Sequence, residues 1–216
     1  MSKQRQGHIL QPAWVNGSHL DRFRQVEPFL ANRSVLDIGA GSGHWRSDWF
    51  HSLIRSVSDD VVGVERSEDY VAGAGELGVS LVHADVVGLR LERTFDVVFA
   101  GELIEHLSSF TGLLDAARAH LKPGGALVLT TPNAFAISNF IYRLGGRARV
   151  NKEHTCWFCE DTLATLLQRH GFRVIEMSYI KHSTPGRCRA LVAGALRALL
   201  PDRLAENTLL AVAVVD

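Results

Sequence analysis

LDIGAGSG, residues 36–43, sets three glycines, Gly39, Gly41 and Gly43, directly behind an acidic residue, Asp37, in an otherwise apolar run. Val35, Leu36 and Ile38 predict a central parallel strand buried on both faces. Glycines at alternate positions remove every Cβ where the chain must turn sharply and a ligand must approach the main chain. Residues 44–56 predict a helix whose first amides point back at this turn. A dinucleotide fingerprint would put its third glycine at position 44, which is His44 here, so the spacing argues against a nicotinamide cofactor.

Further strands follow. Residues 61–65 (VVGVE) end in Glu65, 81–85 (LVHAD) end in Asp85, 95–102 (FDVVFAGE) form a fourth strand, and 121–133 (LKPGGALVLTTPN) a Pro-Gly-Gly turn and a fifth. Taken in order, these features resemble the class I S-adenosylmethionine-dependent methyltransferases over residues 35–215. The resemblance implies an α/β, Rossmann-like, seven-stranded, mostly parallel sheet of order 3-2-1-4-5-7-6 with helices on both faces. It also implies S-adenosylmethionine as cofactor: Asp37 with Gly39, Gly41 and Gly43 at its methionine end, Glu65 on the ribose diol, Asp85 on the adenine amino group with the Val86 backbone beside it, and Gly101 beneath the sulfonium. The plainer account of each acid is a helix N-cap at a strand-to-helix junction, where Asp is favoured anyway. Both Glu65 and Asp85 fall at the strand ends where open α/β sheets bind ligands.

The bulk composition is that of one globular domain. Of 216 residues, 46% are hydrophobic and 21% charged, enough for a substantial core. The formal net charge is zero, so nothing global draws the chain to nucleic acid. Residues 1–14 lack the apolar stretch of a secretory signal, and the longest apolar runs, 190–196 and 209–215, fall short of the ~20 residues that span a bilayer. The expected location is cytoplasmic, without stable membrane insertion. Three cysteines provide no disulfide framework. Residues 1–32 read as an N-terminal capping segment with a helix over 18–30, and 33–216 as the cofactor-binding domain. After the fifth strand comes a long, weakly patterned connection, 132–158, of the kind that is usually functional. A helix over 161–170 ended by Gly171, a strand over 172–180 and a last strand over 208–215 complete the chain.

Glu102, Glu105 and His106 lie at i, i+3 and i+4, so on a helix starting there two carboxylates and an imidazole would share a face. The E-x-x-E-H element resembles that of two metal-using methyltransferase branches, the ubiquinone-pathway O-methyltransferases and the enzymes that methylate the 2′-hydroxyl at small-RNA 3′ ends, the latter with a further histidine downstream, here His154. Mixed oxygen and imidazole ligands suit Mg²⁺ or Mn²⁺. The same pair opens this helix in metal-free relatives, and the expectation adopted is no metal, with His106 and His154 as the catalytic residues that accept or orient the acceptor's proton. Against this stands a hydrogen-bonded, purely structural histidine at either position. Cys156 and Cys159 form a C-x-x-C without the second pair a zinc site needs, and burial beside Trp157 and Phe158 accounts for them.

Arg143, Arg147, Arg149 and Lys152, with Lys181, Arg187 and Arg189, predict a basic rim and an anionic, small-molecule acceptor. Residues 187–200 read as a helix that covers the core, or one that lies on a membrane with its Ala/Leu face. The expected activity is O-methylation of a small metabolite or a glycan or lipid precursor. Its rivals are metal-assisted methylation of a catechol or RNA 3′ ribose, a non-catalytic cofactor-binding scaffold, and a nucleotide-dependent oxidoreductase.

Overall fold

The computed structural model describes residues 19–146, 150–183 and 186–215. Its elements run α1 (His19–Leu30), β1 (Val35–Ile38), α2 (Phe50–Arg55), β2 (Val61–Glu65), α3 (Glu68–Glu76), β3 (Val82–His83), β4 (Phe95–Gly101), α4 (Thr111–His120), β5 (Leu121–Pro132), α5 (Ile137–Leu144), α6 (Glu160–Arg169), β6 (Phe172–Ile180), α7 (Arg187–Leu199), α8 (Asp202–Ala205) and β7 (Thr208–Val215). The seven strands form one sheet in the order β3-β2-β1-β4-β5-β7-β6, as expected. Pairing is parallel except around β7, which runs antiparallel to both β5 and β6.

Strand periodicity explains the two-sided burial. Leu36, Ile38, Val98, Leu127 and Leu129 point to one face, with Leu113 and Leu114 of α4 and Leu163 and Leu167 of α6. Val35, Val97, Phe99 and Val128 point to the other, with Phe23, Val26 and Leu30 of α1 and Phe50 and Ile54 of α2. Alternate side chains of a strand face opposite ways, so a central strand needs apolar residues at every position to bury both.

Several expected boundaries change. The helix expected over 44–56 begins only at Phe50. Residues 41–49 instead make i to i+3 turns, with His44, Arg46 and Trp49 N–H donating to Gly41, Gly43 and Arg46 C=O. The Trp49 indole is drawn under the glycine turn, donating to Ala40 C=O at 2.7 Å. The third strand shrinks to Val82–His83, an exposed edge. The fourth ends at Gly101 because Glu102 takes φ +53. The helix meant to align Glu102, Glu105 and His106 is a single 3₁₀ turn, Ile104–His106, with Glu102 outside it. The 132–158 connection contains a helix, α5, with no buried residue. Among residues 190–200 none is buried, which overturns the core-covering account of α7. Residues 1–18 of the expected capping segment lie outside the described residues, as do Arg147 and Arg149.

Candidate functional site

The parallel strands β1, β2 and β4 end at one side of the sheet, and a cavity of about 580 Å³ opens there. Asp37, Gly39, Glu65, Asp85, Val86 and Gly101 all line it. Glu65 is buried, and its two oxygens are held by backbone amides: Oε1 accepts from Ser67 N–H at 2.7 Å and Oε2 from Gly41 N–H at 3.0 Å. Asp85 is exposed at the rim, with Oδ1 accepting from Val87 N–H at 2.8 Å.

Of the same turn, Gly39, Ala40 and Ser42 line the cavity, and Gly41 and Gly43 stand behind them. A Cβ on Gly41 would meet Glu65 Cγ at 2.6 Å and Tyr70 Cβ at 2.7 Å. The missing side chain therefore lets Glu65 close onto the turn. Gly43 serves the turn itself, at φ +83. Gly101 lies against a ring: its Cβ would stand 2.6 Å from Phe99 Cζ.

Two groups missed by sequence reasoning complete this end. His51 of α2 is buried, with its Nδ1 2.7 Å from Asp37 Oδ2, so it fixes the Asp37 rotamer. Arg22 of α1 is 8% exposed, lies over the Phe50 ring at 4.6 Å, and holds Nη1 3.5 Å from Glu102 Oε1. Arg22 Nε, Glu102 Oε1 and Thr130 Oγ1 are buried without hydrogen-bond partners. A buried cation and a buried carboxyl joined to each other by one loose 3.5 Å contact beside a cavity fit a zwitterionic ligand such as the amino-acid end of S-adenosylmethionine. Only tertiary packing brings α1 here, so no local signal marked Arg22.

On the wall of the same cavity the turn 104–106 and the segment 151–154 converge. Thr155 joins them: its N–H donates to Glu105 C=O at 2.8 Å and its hydroxyl to Leu107 C=O at 2.7 Å. The His106 and His154 rings meet edge to face at 4.6 Å between centroids. His154 Nε2 is 4.0 Å from Glu105 Oε1, and one ligand atom from each of Glu105, His106 and His154 falls within 4.8 Å of the others. Glu105 is fully buried; Oε2 accepts from the Thr131 hydroxyl at 3.0 Å and Oε1 has no partner. Burial, reinforced by the neighbouring Glu102 charge, pushes the Glu105 carboxyl up to about 8. Burial also raises Glu102, against the opposing pull of Arg22. Burial, then the His106 charge, lowers His154 to about 4, and burial lowers His106. Burial thus disfavours charge on both imidazoles and on the Glu105 carboxyl alike.

Only part of the expected basic rim falls among the described residues. Among the described residues, Arg143, Lys152 and Lys181 are exposed and none lines the cavity; Lys181 pairs with Asp202 at 3.1 Å. The side chains of Arg187 and Arg189 lie outside the described residues. Cys159 is buried at the start of α6, where it and Thr162 exchange hydrogen bonds, and Cys156 is half-buried, both as free thiols.

A family model described as "Methyltransferase domain" matches residues 14–177. The chain is 26% identical over 200 residues to a tRNA U34 carboxymethyltransferase of Pseudoalteromonas atlantica, covering 83% of this chain and 59% of that one. It is 33% identical over 195 residues to a ubiquinone biosynthesis O-methyltransferase of Roseobacter denitrificans, covering 78% and 74%. The chain spans only 54–63% of the length of four of the curated relatives it matches. In structure it resembles a SAM-dependent methyltransferase from Archaeoglobus fulgidus, with a TM-score of 0.66, 20% identity and coverage of 91% and 94%. No described helix is long and apolar enough to cross a membrane. With the strand order and the family match in agreement, the chain belongs to the class I S-adenosylmethionine-dependent methyltransferases.

Proposed function

We propose that this protein methylates a hydroxyl oxygen of a small molecule, a metabolite or a glycan or lipid precursor, with His106 and His154 handling the acceptor's proton. The observation that carries this reading is the pair of imidazoles meeting edge to face at 4.6 Å on the wall of the cavity that Gly101 and Glu102 also line. S-adenosylmethionine supplies a methyl group made electrophilic by its sulfonium. Glu65 would hold the ribose diol, Asp85 the adenine edge and Arg22 the methionine carboxylate, with Asp37, fixed by His51, on the amino group. Helix α1 then acts as the cap of the site. In the transfer an acceptor oxygen forms the new C–O bond as the C–S bond breaks, the thioether leaves, and the acceptor's proton passes to an imidazole. Holding acceptor and methyl in line supplies much of the rate, and removing the proton as charge shifts supplies more.

A second reading rests on the cluster of Glu105, His106 and His154 ligand atoms within 4.8 Å. One carboxylate and two imidazoles fit a divalent cation, which would lower the pKa of a catechol or ribose diol hydroxyl. The ubiquinone-pathway and tRNA-directed names of relatives make quinone precursors and RNA the acceptors to compare. Incubation with methyl-labelled S-adenosylmethionine and a panel of phenols, sugars, lipid precursors and RNA, with and without chelator, tests both. Labelled methyl ether formed in chelator supports the first reading. Label that appears only after Mn²⁺ or Mg²⁺ is restored supports the second, and no label on any hydroxyl acceptor contradicts both.

A further inference from the structure

Glu102 is aimed by a strained backbone. Strand β4 alternates, with Val98 and Ala100 on the α4 side of the sheet and Val97 and Phe99 on the α1 side. An extended continuation would turn Glu102 to the α4 side, with Ala100. Instead Glu102 takes φ +53 while its N–H stays paired with Thr130 C=O at 2.8 Å, so the chain has not frayed from β5. A long side chain rarely adopts that left-handed conformation, which suits glycine or asparagine. Such outliers persist where the surrounding structure over-determines them, and they gather at ligand sites.

The kink brings the carboxylate to Arg22, whose guanidinium lies 4.6 Å over the Phe50 ring that in turn stacks on Phe99. Both Arg22 and Glu102 line the cavity. Their side chains are 10% and 16% exposed, their approach is 3.5 Å, and Glu102 Oε1 and Arg22 Nε have no hydrogen bond. A buried ion pair offsets its desolvation only when it is close and its remaining donors and acceptors are filled. This one is neither, so stability does not account for it. The E-x-x-E-H spacing would give Glu102 to a cation together with Glu105 and His106. Among the described residues, the ligand atoms gathered within 4.8 Å come instead from Glu105, His106 and His154, and Glu102 stands outside the group.

We propose that Glu102 binds the α-ammonium group of S-adenosylmethionine rather than a metal, and that Arg22 and Glu102 together form a clasp that divides between the two charges of the cofactor's amino-acid end. Arg22 passes to the carboxylate and Glu102 to the ammonium, so each buried charge exchanges a loose partner for a hydrogen-bonded one. An ammonium has three N–H donors, which leaves room for Asp37 beside Glu102. The inference deepens the cofactor placement proposed above and rests on it. Calorimetry on the full chain with three thioethers tests it: S-adenosylhomocysteine, its analogue with hydrogen in place of the amino group, and 5′-methylthioadenosine, which lacks the amino-acid end. The wild type should bind the des-amino analogue about tenfold or more weakly than S-adenosylhomocysteine. In Glu102→Gln, and in Glu102→Asn, whose side chain suits the left-handed backbone, that penalty should shrink by roughly threefold or more, while 5′-methylthioadenosine affinity stays within about twofold of the wild type. Equal affinity of the wild type for S-adenosylhomocysteine and the des-amino analogue overturns the proposal without any variant. An unchanged penalty in variants that circular dichroism shows to be folded overturns it too, as does loss of Mn²⁺ binding in Glu102→Gln with the penalty intact. Wild-type binding of S-adenosylhomocysteine no tighter than that of 5′-methylthioadenosine overturns the underlying placement of the methionine end as well.

Discussion

Replacing Glu65 separates a ligand contact from the architecture that supports it. The carboxylate accepts two backbone N–H bonds, from Ser67 at 2.7 Å and Gly41 at 3.0 Å, and faces the cavity where a ribose diol would sit. Hydrogen bonds to a charged group are worth about 1.5–3 kcal/mol. Losing the diol contact in Glu65→Ala should therefore weaken S-adenosylhomocysteine binding roughly ten- to hundredfold. The same substitution strands two amides of the cofactor turn, so stability should also fall, by about 1–3 kcal/mol as water reaches them. Glu65→Gln keeps the volume but turns an NH₂ toward one of those amides, and should weaken binding by an intermediate amount. Calorimetry and urea melts give the two quantities. An S-adenosylhomocysteine analogue lacking both ribose hydroxyls separates them further, because its penalty should be large for the wild type and near zero for Glu65→Ala. An equal penalty in both proteins would refute the ribose assignment, whatever the mutant's stability.

Other outcomes follow from the same geometry. His106→Ala and His154→Ala should each lower turnover in chelator about tenfold or more, roughly 1.4 kcal/mol of barrier, with cofactor affinity unchanged; steady-state kinetics beside calorimetry checks this. Arg22→Leu removes a buried cation that lines the cavity; if it holds the methionine carboxylate as proposed, S-adenosylhomocysteine binding should weaken about tenfold or more, while adenosine, which lacks the carboxylate, should bind as before. Burial holds the Glu105 carboxyl near 8 against an ordinary 4.5, so the folded protein keeps a proton that the unfolded chain gives up. That contribution to stability is complete below about pH 4.5 and is lost as pH rises through 8, and urea melts of Glu105→Gln should lack the decline.

The sheet was legible because its strands announce themselves. Val35, Leu36 and Ile38, and the run from Phe95 to Gly101, are apolar on both faces, and the glycine turn after β1 has one dominant use. The order placing β7 between β5 and β6 came only with the family resemblance, since non-local pairing leaves no local mark. Glu65 and Asp85 were readable as acids at strand ends. The support around them was not: Arg22 reaches the cavity from another helix, and His51 meets Asp37 through the packing of α2. The convergence of His106 with His154 depends on Thr155, whose hydrogen bonds to the 3₁₀ turn cross some fifty positions of sequence. Helix α5 within 132–158 was readable after all, since Ile137, Phe140, Ile141 and Leu144 carry the i, i+3, i+4, i+7 spacing of an amphipathic helix, but eight residues with no N-cap side chain and a following Gly145-Gly146 made it easy to pass over as loop. That Gly41 makes room for Glu65 was also not readable, since a glycine's need for space does not say what fills it.

The most direct measurement is a crystal structure with S-adenosylhomocysteine bound. The account predicts both ribose hydroxyls within hydrogen-bond distance of Glu65, the adenine edge at Asp85 and Val86, the carboxylate at Arg22, and the sulfur facing the space beside His106 and His154. Ribose hydroxyls away from Glu65, or a sulfur pointing away from the two imidazoles, would contradict it.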